Sequence, residues 1–212
     1  MNTQGLNSFF SANWKLFAGL GVALVVAVAV AGFWSARGKT IEREATNMLY
    51  DAQLQAREAV AKKDAAGAEK AFLPLLEKYP HTRAAFEANL QVGDLYMDGG
   101  NFAEAVKRYE QASALAGDAF SELLARYNLG IAREQAGQFQ EAVASYDAAL
   151  KMEGSGFLKP EILMAQARCF EALQQVAKAI EVYQRIQKDF ADRSFYSGAA
   201  AAFEKQLSAG QQ

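Results

Sequence analysis

Two stretches of this chain, NLQVGDLYMDGGNFAEAVKRYEQA (residues 89–112) and RYNLGIAREQAGQFQEAVASYDAA (residues 126–149), repeat one another at an offset of 37 residues. Gly93, Gly100, Phe102, Ala105, Tyr109 and Ala112 recur as Gly130, Gly137, Phe139, Ala142, Tyr146 and Ala149. Coincidences in one register on this scale exclude chance, and a period of this length marks stacked supersecondary units rather than one closed core. The same step carried backwards puts Ala68 and Phe72 at the alanine and tyrosine positions, and carried forwards it reaches Ala179 and Tyr183. The repeat therefore predicts about four units over residues 41–208.

Each unit reads as a helical hairpin. Apolar residues fall at i, i+4 and i+7 (Ala105, Tyr109, Ala112), the spacing of one helix face. Asp98-Gly99-Gly100-Asn101 and Ala136-Gly137-Gln138 interrupt the helical runs. Asn101 followed by Glu104 predicts a reciprocal cap at the next helix start, and Pro160 suits a first helical position. Small residues at Gly93, Gly130, Ala105 and Ala142 let the two helices of a hairpin approach closely, while Tyr109 and Tyr146 fill the space between neighbouring hairpins. A hairpin alone cannot bury its apolar face, so stability must come from stacking. Residues 194–207 read as a last, unpaired capping helix with a polar face of Glu204, Lys205 and Gln206.

The pattern resembles the tetratricopeptide repeat, whose signature sets Leu-Gly and Tyr on a first helix, then Ala, an aromatic and a final Pro. Gly93, Tyr96, Ala105 and Tyr109 fill those roles in one unit, and Leu129, Gly130, Ala142 and Tyr146 in the next. The first unit keeps Ala68, Phe72 and Pro80, and the last has Gln166 and Ala167 where Leu-Gly belongs. The resemblance implies an all-α fold, a short α-solenoid of helical hairpins closed by a carboxyl-terminal capping helix.

A second feature stands before the repeats. Residues 16–34 run LFAGLGVALVVAVAVAGFW without a charge, enough helix to span roughly 30 Å of hydrocarbon. Trp14 and Trp34 bracket it, where amphipathic rings settle at the two headgroup interfaces. This predicts a short amino-terminal segment (1–15), a single transmembrane helix (16–34) and the repeat domain (41–208), with the helix from Ile41 to Ala61 nearly continuous with the anchor. The rival is a cleaved signal peptide, since Ala29-Val30-Ala31 offers a small-x-small site before Gly32. Gly19, Ala23, Ala27 and Ala31 recur every four residues, a small-residue stripe of the kind that lets another membrane helix approach. Charge around the span is divided: Arg37, Lys39 and Arg43 against Lys15 would hold the repeats in the cytoplasm, but long following domains cross largely regardless of charge.

Composition excludes several functions. A formal net charge of −2, with basic and acidic residues interspersed, provides no basic face for nucleic acid. The lone His81 follows Pro80 in an inter-repeat turn, and the lone Cys169 lies in the helical run AQARCFEAL, where a small buried hydrophobe is expected. No phosphate loop, metal-ligand spacing or calcium loop occurs, so the expectation is no enzyme, no cofactor, no metal and no small-molecule substrate.

Protein partners remain. In tetratricopeptide arrays the first helices line a concave groove, and projecting the family's groove positions onto this register selects Glu87, Leu90, Asp94 and Met97, then Tyr127, Ile131 and Glu134, then Met164, Arg168 and Glu171. This surface is apolar with an acidic margin and suits an extended or helical segment with apolar anchors. The competing occupant is the chain's own amino-terminal helix. The combination of Phe9-Phe10, Asn13-Trp14-Lys15, a Gly/Ala-rich membrane helix and a small repeat domain is similar in architecture to the bacterial ancillary Sec translocon subunit family. That resemblance implies an inner-membrane protein with its repeats in the periplasm, beside the translocon, passing emerging proteins to chaperones. The alternative is a structural scaffold that tethers an envelope or cytoplasmic complex and touches no unfolded client.

Overall fold

The computed structural model describes residues 12–152 and 154–209. Residues 1–11, Phe9 and Phe10 among them, lie outside the described residues. The chain divides into two compact units, Met1–Glu44 and Ala45–Gln212. The described residues are helical, with no strand among them.

Helix α1 (Trp14–Ala61) is unbroken over 48 residues, so the anchor segment and the helix expected from Ile41 are one element. Within the first unit its large apolar side chains from Leu20 to Trp34 are exposed. A window of 18 residues there has a mean hydropathy of 2.5, which makes α1 long and apolar enough to cross a membrane.

The second unit is built from the end of α1, then α2 (Ala65–Lys78), α3 (Arg83–Asp98), α4 (Phe102–Leu115), α5 (Ala119–Gln135), α6 (Phe139–Leu150), α7 (Lys159–Ala172), α8 (Val176–Asp189) and α9 (Ser194–Ala209). Successive helices pair into four hairpins, with α9 as a half repeat packed on α8. The 37-residue register is carried by burial: Ala68, Ala105, Ala142 and Ala179 are fully buried, and so, to 2% or less, are Phe72, Tyr109, Tyr146 and Tyr183 one turn on. Leu75, Ala112, Ala149 and Ile186 complete the same face on α2, α4, α6 and α8. These second helices thus sit in the middle of the array, and the core runs through it as linked local clusters.

The small first-helix glycines have a specific neighbour. A Cβ on Gly93 would stand 2.7 Å from a ring carbon of Tyr109, and one on Gly130 would stand 2.4 Å from Tyr146. The tyrosine therefore fills the seam inside its own hairpin before it reaches the next. Tyr146 still shares a cluster with Ile162, Ala165 and Cys169 of the following hairpin, so the expected inter-hairpin role is secondary but present.

The turns inside the hairpins share one geometry. Lys63, Gly100, Gly137 and Gln174, 37 residues apart, all adopt positive φ (58° to 74°). After each, an amide bonds back to a carbonyl five residues earlier: Asp64 to Ala59, Asn101 to Tyr96, Gln138 to Arg133 and Gln175 to Phe170, all at 2.8 Å. This is a Schellman closure, which satisfies the last orphan carbonyls of each first helix. The cap expected at Asn101 does not form. The Asn101 side chain makes no capping bond, its carbonyl takes the Glu104 and Ala105 amides at 3.1 Å, and the Glu104 carboxylate pairs with Lys107 instead. Side-chain caps form at Thr82 and Asp118, which precede α3 and α5. Asp64, in the first hairpin turn, combines such a cap with the closure.

Two outcomes follow for the chain lacking residues 1–37. Gln174→Gly should raise unfolding free energy by about 1 kcal/mol, while Gly137→Ala should lower it by about 1 to 2 kcal/mol, since only glycine enters the left-handed region without strain. Urea titration reads both. In the same assay Ala142→Leu should cost about 1 to 3 kcal/mol by overpacking, against less than roughly half a kcal/mol for exposed Glu141→Ala.

Candidate protein-binding groove

The first helices (the end of α1, then α3, α5 and α7) present one face in register. Gln53, Leu90, Tyr127 and Met164 are equivalent, as are Arg57, Asp94, Ile131 and Arg168, and Val60, Met97, Glu134 and Glu171. The structure turns this face into two separate concavities.

The larger, about 610 Å³, brings together five of the ten sequence-selected residues: Tyr127, Ile131 and Glu134 on α5 with Met164 and Arg168 on α7. Gln135, Glu161 and Ala165 complete the floor, and Phe195, Tyr196, Ala199 and Phe203 of α9 form the far wall. The smaller, about 430 Å³, is the same feature two repeats earlier, lined by Gln53, Arg57, Val60 and Ala61 of α1 and Gln91, Asp94 and Leu95 of α3. Asp94 is the one selected residue there, and it accepts a hydrogen bond from the Tyr109 hydroxyl at 2.6 Å.

The other four selected residues serve elsewhere. Leu90 and Met97 are half-buried against the core of the first two hairpins. Glu87 pairs with Arg83 at 3.0 Å. Glu171 accepts from the Tyr183 hydroxyl. The competing occupant is displaced too: from Ala45 to Ala61 the amino-terminal helix is the first member of the array, with Ala45, Leu49, Ala52 and Ala56 buried in its core.

Glu134 is the electrostatic centre of the large groove. One of its oxygens accepts from the Tyr146 hydroxyl at 2.8 Å, and Arg168 closes on both, Nε at 2.9 Å and Nη2 at 3.2 Å. Arg168 remains about half exposed at the groove, while Glu134 keeps only 11% of its side-chain surface. Burial, then the Glu134 charge and hydrogen bond, push the Tyr146 phenol far above its ordinary range. Burial first, then a hydrogen bond to Glu161, do the same for Tyr127. Both phenols stay neutral donors. Cys169, fully buried beneath this floor, is pushed up to about 12 by burial and then by Glu134, so it carries no thiolate at neutral pH. Among the described residues no cluster of His, Cys, Asp or Glu is placed to hold a metal ion.

The α9 aromatics escaped the sequence reading, which took the helix for a polar cap. Glu204 does not face water freely: it accepts from Gln184 and Gln187 of α8, both at 2.7 Å, and so docks the helix. Phe203 stacks on Tyr183 at 5.6 Å. The signal that could have found the wall is the aromatic content of FYSGAAAAF itself, excessive for a helix whose only task is solubility.

Comparison with known proteins follows this geometry. A family model described as tetratricopeptide repeat matches residues 54–114 and 127–194, and a second such model matches residues 85–152. Nearly identical TPR-like repeats of a kinesin light chain from Podosopora anserina superpose with a TM-score of 0.62 at 19% identity, covering 79% of this chain and 89% of that one. A crystal structure of MamA gives 0.56 at 21% identity, covering 76% and 87%. MamA from Desulfovibrio magneticus RS-1 gives 0.54 at 13%, covering 76% and 93%. At these identities the likeness is one of fold. No curated protein matches the sequence.

Cutting Glu134→Gln should leave the groove's shape but weaken its Arg168 clamp and the Tyr146 bond, costing about 1 to 3 kcal/mol in urea unfolding. A cost confined to a few tenths would mean that neither bond matters to stability.

Proposed function

The chain belongs to the tetratricopeptide repeat family, and from that premise we propose that it is a membrane-anchored protein-interaction scaffold whose α5–α7–α9 groove holds an extended apolar segment of a partner. One observation carries the reading. Tyr127, Ile131, Met164, Phe195 and Tyr196 surround about 610 Å³ of concave space, while Glu134, Glu161 and Arg168 stand among them as polar markers. Apolar and aromatic anchors supply most of the energy of such a contact, and charges tune rate and register. Tyr127 is central: its ring lies 6.3 Å from that of Tyr146, so it is held by the core while it borders the groove.

The finer reading assigns the protein to the bacterial inner membrane, single-pass through α1, with the repeats in the periplasm beside the Sec translocon, where the groove takes segments of emerging proteins before chaperones do. Support comes from the order of parts: a helix long and apolar enough to cross a membrane, running without a break into the repeats. The stripe of Gly19, Ala23, Ala27 and Ala31 on that helix would then be its contact with a translocon helix. Periplasmic and cytoplasmic reporter fusions at the carboxyl terminus decide the compartment. A pulldown from detergent extract separates translocon and chaperone partners from a fixed assembly of the alternative, purely structural kind.

Tyr127→Ala combined with Met164→Ala should weaken capture of an unfolded apolar polypeptide by about thirtyfold, the equivalent of roughly 2 kcal/mol for losing a central anchor. Circular dichroism must show retained helicity. Undiminished capture with an intact fold would remove the groove from the mechanism.

A further inference from the structure

Several carboxylates on the groove-forming helices are already paired with a cation. Glu87 has Arg83 at 3.0 Å and Glu122 has Arg126 at 2.6 Å, each one turn away on its own helix, and Glu134 has Arg168 of the next hairpin at 2.9 Å. Glu161, in the first turn of α7, differs from them. Two repeats earlier its position is held by Glu87, but where Arg83 stands one turn before Glu87, Phe157 stands one turn before Glu161. Its side chain is exposed, and its contact is the Tyr127 hydroxyl, which supplies a hydrogen bond and leaves the negative charge in place.

The cations near the groove do not offset that charge. Arg168 is the only one among the lining residues, and it is spent on Glu134 through both Nε and Nη2. Lys159, two residues before Glu161, projects from the other side of the helix. Arg193, just before α9, donates to the Phe157 carbonyl at 3.3 Å and lies over the Phe190 ring at 5.8 Å. Of the three charged lining residues two therefore cancel, and Glu161 remains. It shares the concavity with Tyr127, Phe195 and Tyr196, the last two meeting edge to face at 5.3 Å. Aromatic faces attract cations as a carboxylate does, and a lysine or arginine brings an apolar stem to the rings and a charged head to the acid.

We infer that the segment held by the α5–α7–α9 groove carries a lysine or arginine among its apolar residues, with the cationic head beside Glu161 and the rings of Tyr127, Phe195 and Tyr196. This rests on the groove being the partner site and adds what the site selects. A wholly apolar segment would cover Glu161 without pairing it. An acidic segment would meet the unpaired carboxylate, and to reach the Arg168 fork it would have to displace Glu134, which also satisfies the buried Tyr146 hydroxyl.

The test uses the full chain in phosphatidylcholine nanodiscs, with empty discs as the blank, and three capped fluorescent peptides of one leucine, phenylalanine and serine framework that differ only in a central lysine, glutamine or glutamate. By fluorescence anisotropy the lysine peptide should bind about tenfold more tightly than the glutamate peptide, with glutamine between them. Glu161→Gln should reduce that ratio to about twofold with helicity retained, whereas Glu141→Gln, which removes the same charge from exposed α6 surface outside the groove, should preserve it. Equal binding of the three peptides, tighter binding of the glutamate peptide, a ratio that survives Glu161→Gln, or one that falls equally with Glu141→Gln overturns the inference and leaves the groove as the site. Binding of none of the peptides, or binding untouched by Tyr127→Ala with Met164→Ala, removes the groove reading and this selectivity with it.

Discussion

A tyrosine ring laid on a glycine backbone holds this array together. In the second and third hairpins the ring sits where a glycine Cβ would be, and its hydroxyl crosses to a carboxylate on the first helix: Tyr109 to Asp94, Tyr146 to Glu134. Close approach requires the glycine, and burying the phenol requires the acceptor, because an unpaired buried hydroxyl costs about 1 to 3 kcal/mol. The acceptor shifts between hairpins for a visible reason. Glu134 and Glu171 occupy equivalent positions and serve Tyr146 and Tyr183, but the matching residue in the second hairpin is Met97, so Tyr109 turns to Asp94 one turn earlier. In the first hairpin the aromatic is Phe72, and the two acceptor positions hold Arg57 and Val60. Hydroxyl and carboxylate are present together or absent together.

This pairing couples folding to the groove. The carboxylate that satisfies Tyr146 from one side is clamped by Arg168 of the next hairpin from the other. Glu134 therefore belongs to the core, to the interface between repeats and to the groove at once. The concavity between α1 and α3 lacks such a group: Asp94 serves Tyr109, and its neighbours there are Gln53, Arg57 and Gln91, with Gln53 donating to Gln91 at 3.1 Å. Two grooves of common origin thus differ in chemistry, one aromatic around a fixed ion pair, the other largely amide and aliphatic.

The repeat period, the buried Ala and aromatic positions of every second helix, and the hairpin turns were legible because each is a backbone requirement repeated at fixed spacing. Less legible was whatever the repeat satisfies by different residues. Lys63 and Gln174 hold the same left-handed turn as Gly100 and Gly137, yet nothing in their chemistry announces it. The expected Asn101 cap does not form, whereas the Asp64 carboxylate, at the equivalent position after the same closure, takes the Gly67 amide. Projection of groove positions treated all hairpins as equal, whereas Leu90 and Met97 are half-buried against the core. The α9 wall was missed because the half repeat was judged by its few charged residues, one of which, Glu204, points to α8.

An array of stacked hairpins must stop somewhere, and the last second helix would otherwise leave its tyrosine uncovered. Here α9 covers it: Phe203 stacks on Tyr183, Ala200 is fully buried, and Glu204 bonds both Gln184 and Gln187. Outward it presents small side chains, Ala201 and Ala202, whose exposure costs little. The same helix turns Phe195 and Tyr196 toward the groove. Sealing the array and walling the groove are therefore one structural act, and deletion of α9 would remove both together. Only side-chain changes that spare Ala200, Phe203 and Glu204 can separate what the helix does for stability from what it does for a partner.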